Sequence, residues 1–162
     1  MRSIIGRNLV KLLSNANLNK NLLKSTNNPY KINSAKFHTT NLLNYEVTDL
    51  SPNDYYQSSE KTMNNLFEQL EELLEEEDNS AYDLEYQSGV LTLKLGVNGT
   101  YVINKQPPNQ QIWLSSPHSG PKRYNFDLKE ETWFYHRDNS TLKNLLETEL
   151  KEVFDKNIEL SI

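Results

Sequence analysis

Apolar positions along this chain change period twice. Met63, Leu66, Phe67, Leu70, Leu73 and Leu74 recur at i, i+3, i+4 and i+7, the spacing that lines one face of an α-helix. Ser51-Pro52-Asn53-Asp54 precedes them. A capping serine, a proline at the first helical position and an acid three residues after the cap predict a helix start there. The first helix is expected to be long and to end near Glu77. From Ala81 the period falls to two, with Leu91, Leu93 and Leu95 alternating with Val90, Thr92 and Lys94. Asn98-Gly99 then marks a hairpin, because Asn-Gly readily takes the positive φ values of tight turns.

Further short strands follow at hairpin spacing. Tyr101 and Ile103 face inward on the strand from Thr100, and Ile112 and Leu114 on the strand from Gln110. Pro107-Pro108-Asn109 is a turn and Ser116 to Pro121 a loop. Arg123 to Asp127 and Thr132 to His136 are two more strands. Ser140 or Thr141 caps a last helix whose inward stripe is Leu142, Leu145, Leu146, Leu150, Val153 and Phe154. The pattern predicts an α+β, two-layer sandwich, with two helices on one face of an antiparallel sheet of five to seven strands. The other face of the sheet is expected to meet solvent.

Charge divides the chain. Residues 1–45 hold seven basic side chains, ten asparagines and no acid, and 46–162 hold ten basic side chains against all 22 acids, a formal −12. Ile4, Ile5, Leu9, Leu12 and Leu13 recur at roughly helical spacing among Arg2, Arg7 and Lys11. A basic, acid-free amphipathic start has the composition of a mitochondrial transit peptide. Residues 1–45 are therefore expected to be a targeting segment and 46–162 a domain, with cleavage between about residues 36 and 50. A basic tail without targeting function is the alternative. The chain has no cysteine, which excludes disulfides, thiol catalysis and thiolate ligation of a metal. No apolar run approaches the length of a transmembrane helix. The acidity of the domain speaks against nucleic-acid binding.

Two surface features remain once the core is assigned. Glu68, Glu71, Glu72, Glu75 and Glu76 lie off the apolar stripe of the first helix, followed by Glu77 and Asp78, and Asp83 and Glu85 sit on the next strand. No lysine or arginine falls between Lys61 and Lys94. Such a run is either a solvated face or a ridge for something cationic, a basic protein or a hard metal ion held through oxygen. The second feature is the outward face of the middle strands, where alternation puts Asn104, Gln106, Gln111 and Trp113. A tryptophan among amides and hydroxyls has the composition of a binding hot spot, unless it lies under a loop. Lys122-Arg123 adds a basic spot nearby. No Gly-rich phosphate loop and no HExxH motif is present, and His38, His118 and His136 form no spaced ligand set.

Four runs carry a family likeness: Ser88-Gly-Val-Leu-Thr-Leu-Lys-Leu-Gly96, Gly99-Thr-Tyr-Val-Ile-Asn-Lys-Gln106, Gln111-Ile-Trp-Leu-Ser-Ser-Pro117 and Ser119-Gly-Pro-Lys-Arg-Tyr124. Together they resemble the core signature of the mitochondrial frataxin family, over roughly residues 50–158. The resemblance implies weak binding of Fe²⁺ and Fe³⁺ by surface carboxylates, which here match Glu60, Glu68, Glu71, Glu72, Glu75 and Asp83. Related chains carry further acids just before the first strand, where Ser80 and Ala81 stand here. The resemblance also implies docking on the complex of cysteine desulfurase and iron–sulfur scaffold protein in the mitochondrial matrix. The matching interface residues are Asn104, Gln106, Gln111, Trp113 and Arg123. It further implies support of haem synthesis, with ferrochelatase as a partner, and a monomer that oligomerises with iron. Ferroxidase activity is ascribed to the family as well, and an iron-oxidising, iron-storing protein is the alternative function.

Overall fold

The computed structural model describes residues 44–162. The expected targeting stretch, apart from Asn44 and Tyr45, and His38 lie outside the described residues. The element order is α1 (Pro52–Glu77), β1 (Tyr82–Gln87), β2 (Val90–Leu95), β3 (Thr100–Gln106), β4 (Gln111–Ser116), β5 (Gly120–Asp127), β6 (Thr132–Tyr135), β7 (Ser140–Thr141) and α2 (Leu142–Phe154). The strands form one antiparallel meander, with neighbours in space following their order in the chain. No helix among the described residues is long and apolar enough to cross a membrane.

Local chemistry sets the element ends. The Ser51 hydroxyl oxygen accepts the Asp54 amide at 3.1 Å and its proton goes to the Asp54 carboxylate at 2.7 Å, which satisfies an otherwise orphan donor of the first turn. Thr141 does the same for α2, accepting from the Asn144 amide. The same threonine is the last residue of β7, so the position expected to be only a cap also closes the sheet. The Asn98-Gly99 hairpin is longer than a two-residue turn: Gly96–Asn98 form a 3₁₀ turn, and Gly99 takes φ 91°. A β-carbon on Gly99 would stand 2.6 Å from the Pro117 ring, so glycine is needed there for conformation and for space.

The core lies between the helices and one face of the sheet. Met63, Leu66, Leu70 and Leu73 of α1 and Leu142, Leu146 and Leu150 of α2 meet Leu91, Leu93, Tyr101, Ile103, Ile112 and Leu114. The buried stripe of α1 also runs two turns further back, through Tyr55, Ser59 and Thr62. Two of those are polar, and each is satisfied: Ser59 donates to the Tyr56 carbonyl, and Thr62 accepts from the Trp133 indole at 2.9 Å. Glu149 of α2 is buried as well, accepting from the Ser116 hydroxyl.

The adjacent aromatics Trp133 and Phe134 divide between the two faces, as alternation in β6 requires. Trp133 enters the core, while Phe134 is buried outside it. The open face is thus covered at this end, where the Tyr45 ring stacks on Phe134 with centroids 5.4 Å apart. Beside it, Asp127 is buried and accepts backbone N–H groups from Glu46, Lys129 and Glu130. Burial alone would raise its carboxyl pKa, but these three donors together hold it below the ordinary aspartate value. A lowered folded pKa adds stability that is complete above the unfolded value, near pH 4, and is lost as pH falls through the folded one. Asp127→Asn is therefore expected to lower the melting temperature at pH 7. The gap to wild type should shrink below about pH 4, and a gap that persists unchanged into acid contradicts this account.

Candidate functional site

The sheet's open face brings all five expected interface residues into two adjacent rows. Asn104, Trp113 and Arg123 are directly opposite one another across β3, β4 and β5. Two residues along, Gln106 pairs with Gln111. The Trp113 indole donates to the Gln111 side-chain oxygen at 2.9 Å, and the Gln111 amide donates to Asn125 at 2.8 Å. The Arg123 guanidinium lies 4.4 Å from the centre of the Trp113 ring, within cation–π range. Trp113 is half-buried and Arg123 exposed. The ring is fixed by its indole bond to Gln111 and by the guanidinium over its face, and no loop of the described residues buries it, so it presents a partly exposed apolar surface among amides.

Two details differ from the sequence reading. Lys122 does not join Arg123 in a basic spot, because successive strand residues point to opposite faces. Its ammonium instead pairs with Asp138 at 3.5 Å, over the Tyr135 ring. Asn125 belongs to the patch and was missed. The signal was available, since Asn125 sits two residues beyond Arg123 on the same strand.

The acidic residues divide into three groups. Glu68, Glu71, Glu72 and Glu75 are exposed on α1 and pair with no lysine or arginine among the described residues. Glu76 and Glu77 both pair with Lys156, at 2.8 and 2.9 Å. Asp83 and Glu85 point to the open-face side of β1, opposite the helices, and Asp83 holds Lys94 at 2.8 Å. That contact, first through the hydrogen bond and then through charge, raises the Lys94 pKa.

Glu60 stands apart from the ridge. It lines a cleft of about 530 Å³ with Tyr55, Tyr56, Ser59 and Lys105. There its carboxylate pairs with Lys105 and stands within 3.5 Å of the Tyr86 hydroxyl. Burial lowers the Lys105 pKa, but the hydrogen bond and charge of Glu60, together with Tyr86, outweigh it and the net shift is upward. Among the described residues, no three or more His, Cys, Asp or Glu side chains gather in an arrangement that would hold a metal ion. The α1 carboxylates offer separate, exposed oxygens, suited to a loosely held, oxygen-preferring cation.

Comparison with known proteins extends this picture. Residues 48–156 match the family model described as a frataxin-like domain. A mitochondrial frataxin homologue of Schizosaccharomyces pombe is 48% identical over 116 residues, covering 72% of each chain. Mitochondrial frataxin of Arabidopsis thaliana is 42% identical over 112 residues, which are 69% of this chain and 60% of that protein. Among solved structures, trimeric Saccharomyces cerevisiae frataxin complexed with ferrous iron superposes with a TM-score of 0.55 at 37% identity, covering 71% of this chain and 96% of that one.

Proposed function

Because the chain belongs to the frataxin-like domain family, we propose that it is an iron-binding accessory protein of mitochondrial iron–sulfur cluster assembly. It docks through the open sheet face on the complex of cysteine desulfurase and scaffold protein in the matrix, and speeds that complex's chemistry. The observation that carries this reading is the row Asn104–Trp113–Arg123, with Gln106 and Gln111 beside it. An apolar ring fixed in place by a guanidinium and an amide loses little freedom when a partner closes over it. The mitochondrial naming of the relatives and the acid-free N-terminal composition support the location. Adding the purified protein to the desulfurase–scaffold complex should accelerate cluster formation. No acceleration moves the weight to iron handling alone.

Fe²⁺ is cargo in this reading, held by Glu68, Glu71, Glu72 and Glu75; the ferrous complex of the yeast neighbour supports it. Asp83 and Glu60 join only by giving up Lys94 and Lys105. A second reading, iron oxidation and storage in an oligomer, draws support from the trimeric state of the same neighbour. Replacing the four glutamates by glutamine separates the roles. Glu68/Glu72, Glu71/Glu75 and Glu72/Glu76 are like-charge i, i+4 pairs, so the change should stabilise α1 by about 0.6–1.5 kcal/mol. Calorimetric titration with Fe²⁺ should lose its saturable heat, and oxygen uptake should stop near one equivalent per site in wild type. A lower melting temperature would contradict the account of the ridge, and many turnovers of oxygen would favour the enzyme.

A further inference from the structure

The segment 44–50 is fastened to the domain at widely separated places. The Tyr45 ring stacks on Phe134. The Glu46 amide donates to Asp127 at 3.0 Å. The Thr48 hydroxyl donates to the Phe126 carbonyl at 2.9 Å and accepts the Leu128 amide at 3.1 Å. Leu50 is buried in the core, and its carbonyl accepts from the Gln110 side chain. Val47, 64% exposed, is the one apolar residue of the segment that faces water.

Composition alone divides the chain between Tyr45 and Glu46, the first acid. The fold does not respect that division. Phe134 is 1% exposed although it lies on the open face, outside the core cluster. Loss of Tyr45 would bare it next to Asn125, which holds Gln111 and through it Trp113. A peptidase must draw several residues on each side of the cut into extended form, and a segment held by this many contacts resists that.

We infer that residues 45–50 are a clasp belonging to the folded domain, and that removal of the targeting segment occurs N-terminal to Tyr45. The clasp ends the docking patch at Phe134 and keeps that ring from competing with Trp113 for apolar contacts. The cut rests on the targeting reading above; the clasp does not.

The test has two arms, both on the full chain. In the first, the 162-residue chain is incubated with purified matrix processing peptidase and the product weighed intact. A product beginning at Tyr45 or earlier is expected, and one beginning at Glu46 or later overturns the inference. A chain left whole overturns the targeting reading and the cut with it. The second arm then still judges the clasp, by thermal melts of Tyr45→Ala, Tyr45→Phe and Val47→Ala. Tyr45→Ala should melt several degrees lower, with the other two close to wild type. Equal midpoints for Tyr45→Ala and wild type overturn the clasp.

Discussion

Trp113→Ala is expected to weaken binding to the desulfurase–scaffold complex by at least about 30-fold while leaving the domain folded. A central hot-spot aromatic contributes about 2 kcal/mol or more, and 1.4 kcal/mol is a tenfold change in affinity. The truncation removes the ring and also releases Arg123 and Gln111, which lose the partner that positions them. Stability should change little, because Trp113 is only half-buried and its contact with Arg123 is worth about 0.5–1 kcal/mol at an exposed site. Arg123→Ala should weaken binding less, since the ring remains. Ser115→Ala, exposed on the same face of β4, serves as the control. Surface-immobilised complex and a melting curve on each variant separate the two effects. Unchanged affinity in Trp113→Ala would remove the open face from the proposed function; a collapse of the melting temperature would mean that the ring is structural.

The parts of this fold legible in the sequence are those governed by a local period. The i, i+3, i+4 spacing of Met63 to Leu73 located α1, and Ser51 and Pro52 fixed its start. Strict alternation in β3 and β4 was enough to put Asn104, Gln106, Gln111 and Trp113 on one face, because the period of a strand decides the face without knowledge of its neighbours. Relations between distant residues were not legible. Glu60 is 45 residues from Lys105, and Thr62 is 71 from Trp133. No periodicity shows that a glutamate of α1 turns to a lysine of β3, so Glu60 entered only through the resemblance, as an iron-binding carboxylate. Phe134 looked like any aromatic of a strand; only the return of Tyr45, far away in sequence, explains how it is buried on the open side. Ser59 and Thr62 were invisible to hydropathy for a different reason: they are polar residues buried because a hydrogen bond satisfies each. The resemblance supplied residue roles, and the register then grouped Asn104, Trp113 and Arg123 in one row, which neither the period nor the motif alone could do.

Trp133→Ala should have the opposite phenotype from Trp113→Ala, although both residues are tryptophans of the same sheet. Trp133 is 2% exposed and lies on the helix side. Its ring is 4.8 Å from Phe126 and meets Tyr55 edge-on at 6.1 Å, and its indole donates to Thr62. It therefore joins β6 to the first three turns of α1, where the helix has no leucine on its buried face and relies on Tyr55, Ser59 and Thr62. Truncation of a buried Phe or Trp to alanine costs about 3–5 kcal/mol, a large share of the roughly 5–15 kcal/mol that holds a domain together. The melting temperature should fall by roughly 10–20 °C. Trp133→Phe should fall between the two: the ring contacts largely survive, but Thr62 loses its donor, at about 1–3 kcal/mol. The chain has only two tryptophans, so emission from each variant reports one site, with Trp113 alone remaining in Trp133→Ala. At temperatures where Trp133→Ala is still folded, its affinity for the partner complex should equal that of wild type, because the open-face rows are intact. A loss below 1 kcal/mol would mean that α1 docks without this residue; lost affinity in the folded variant would mean that the two faces of the sheet are coupled.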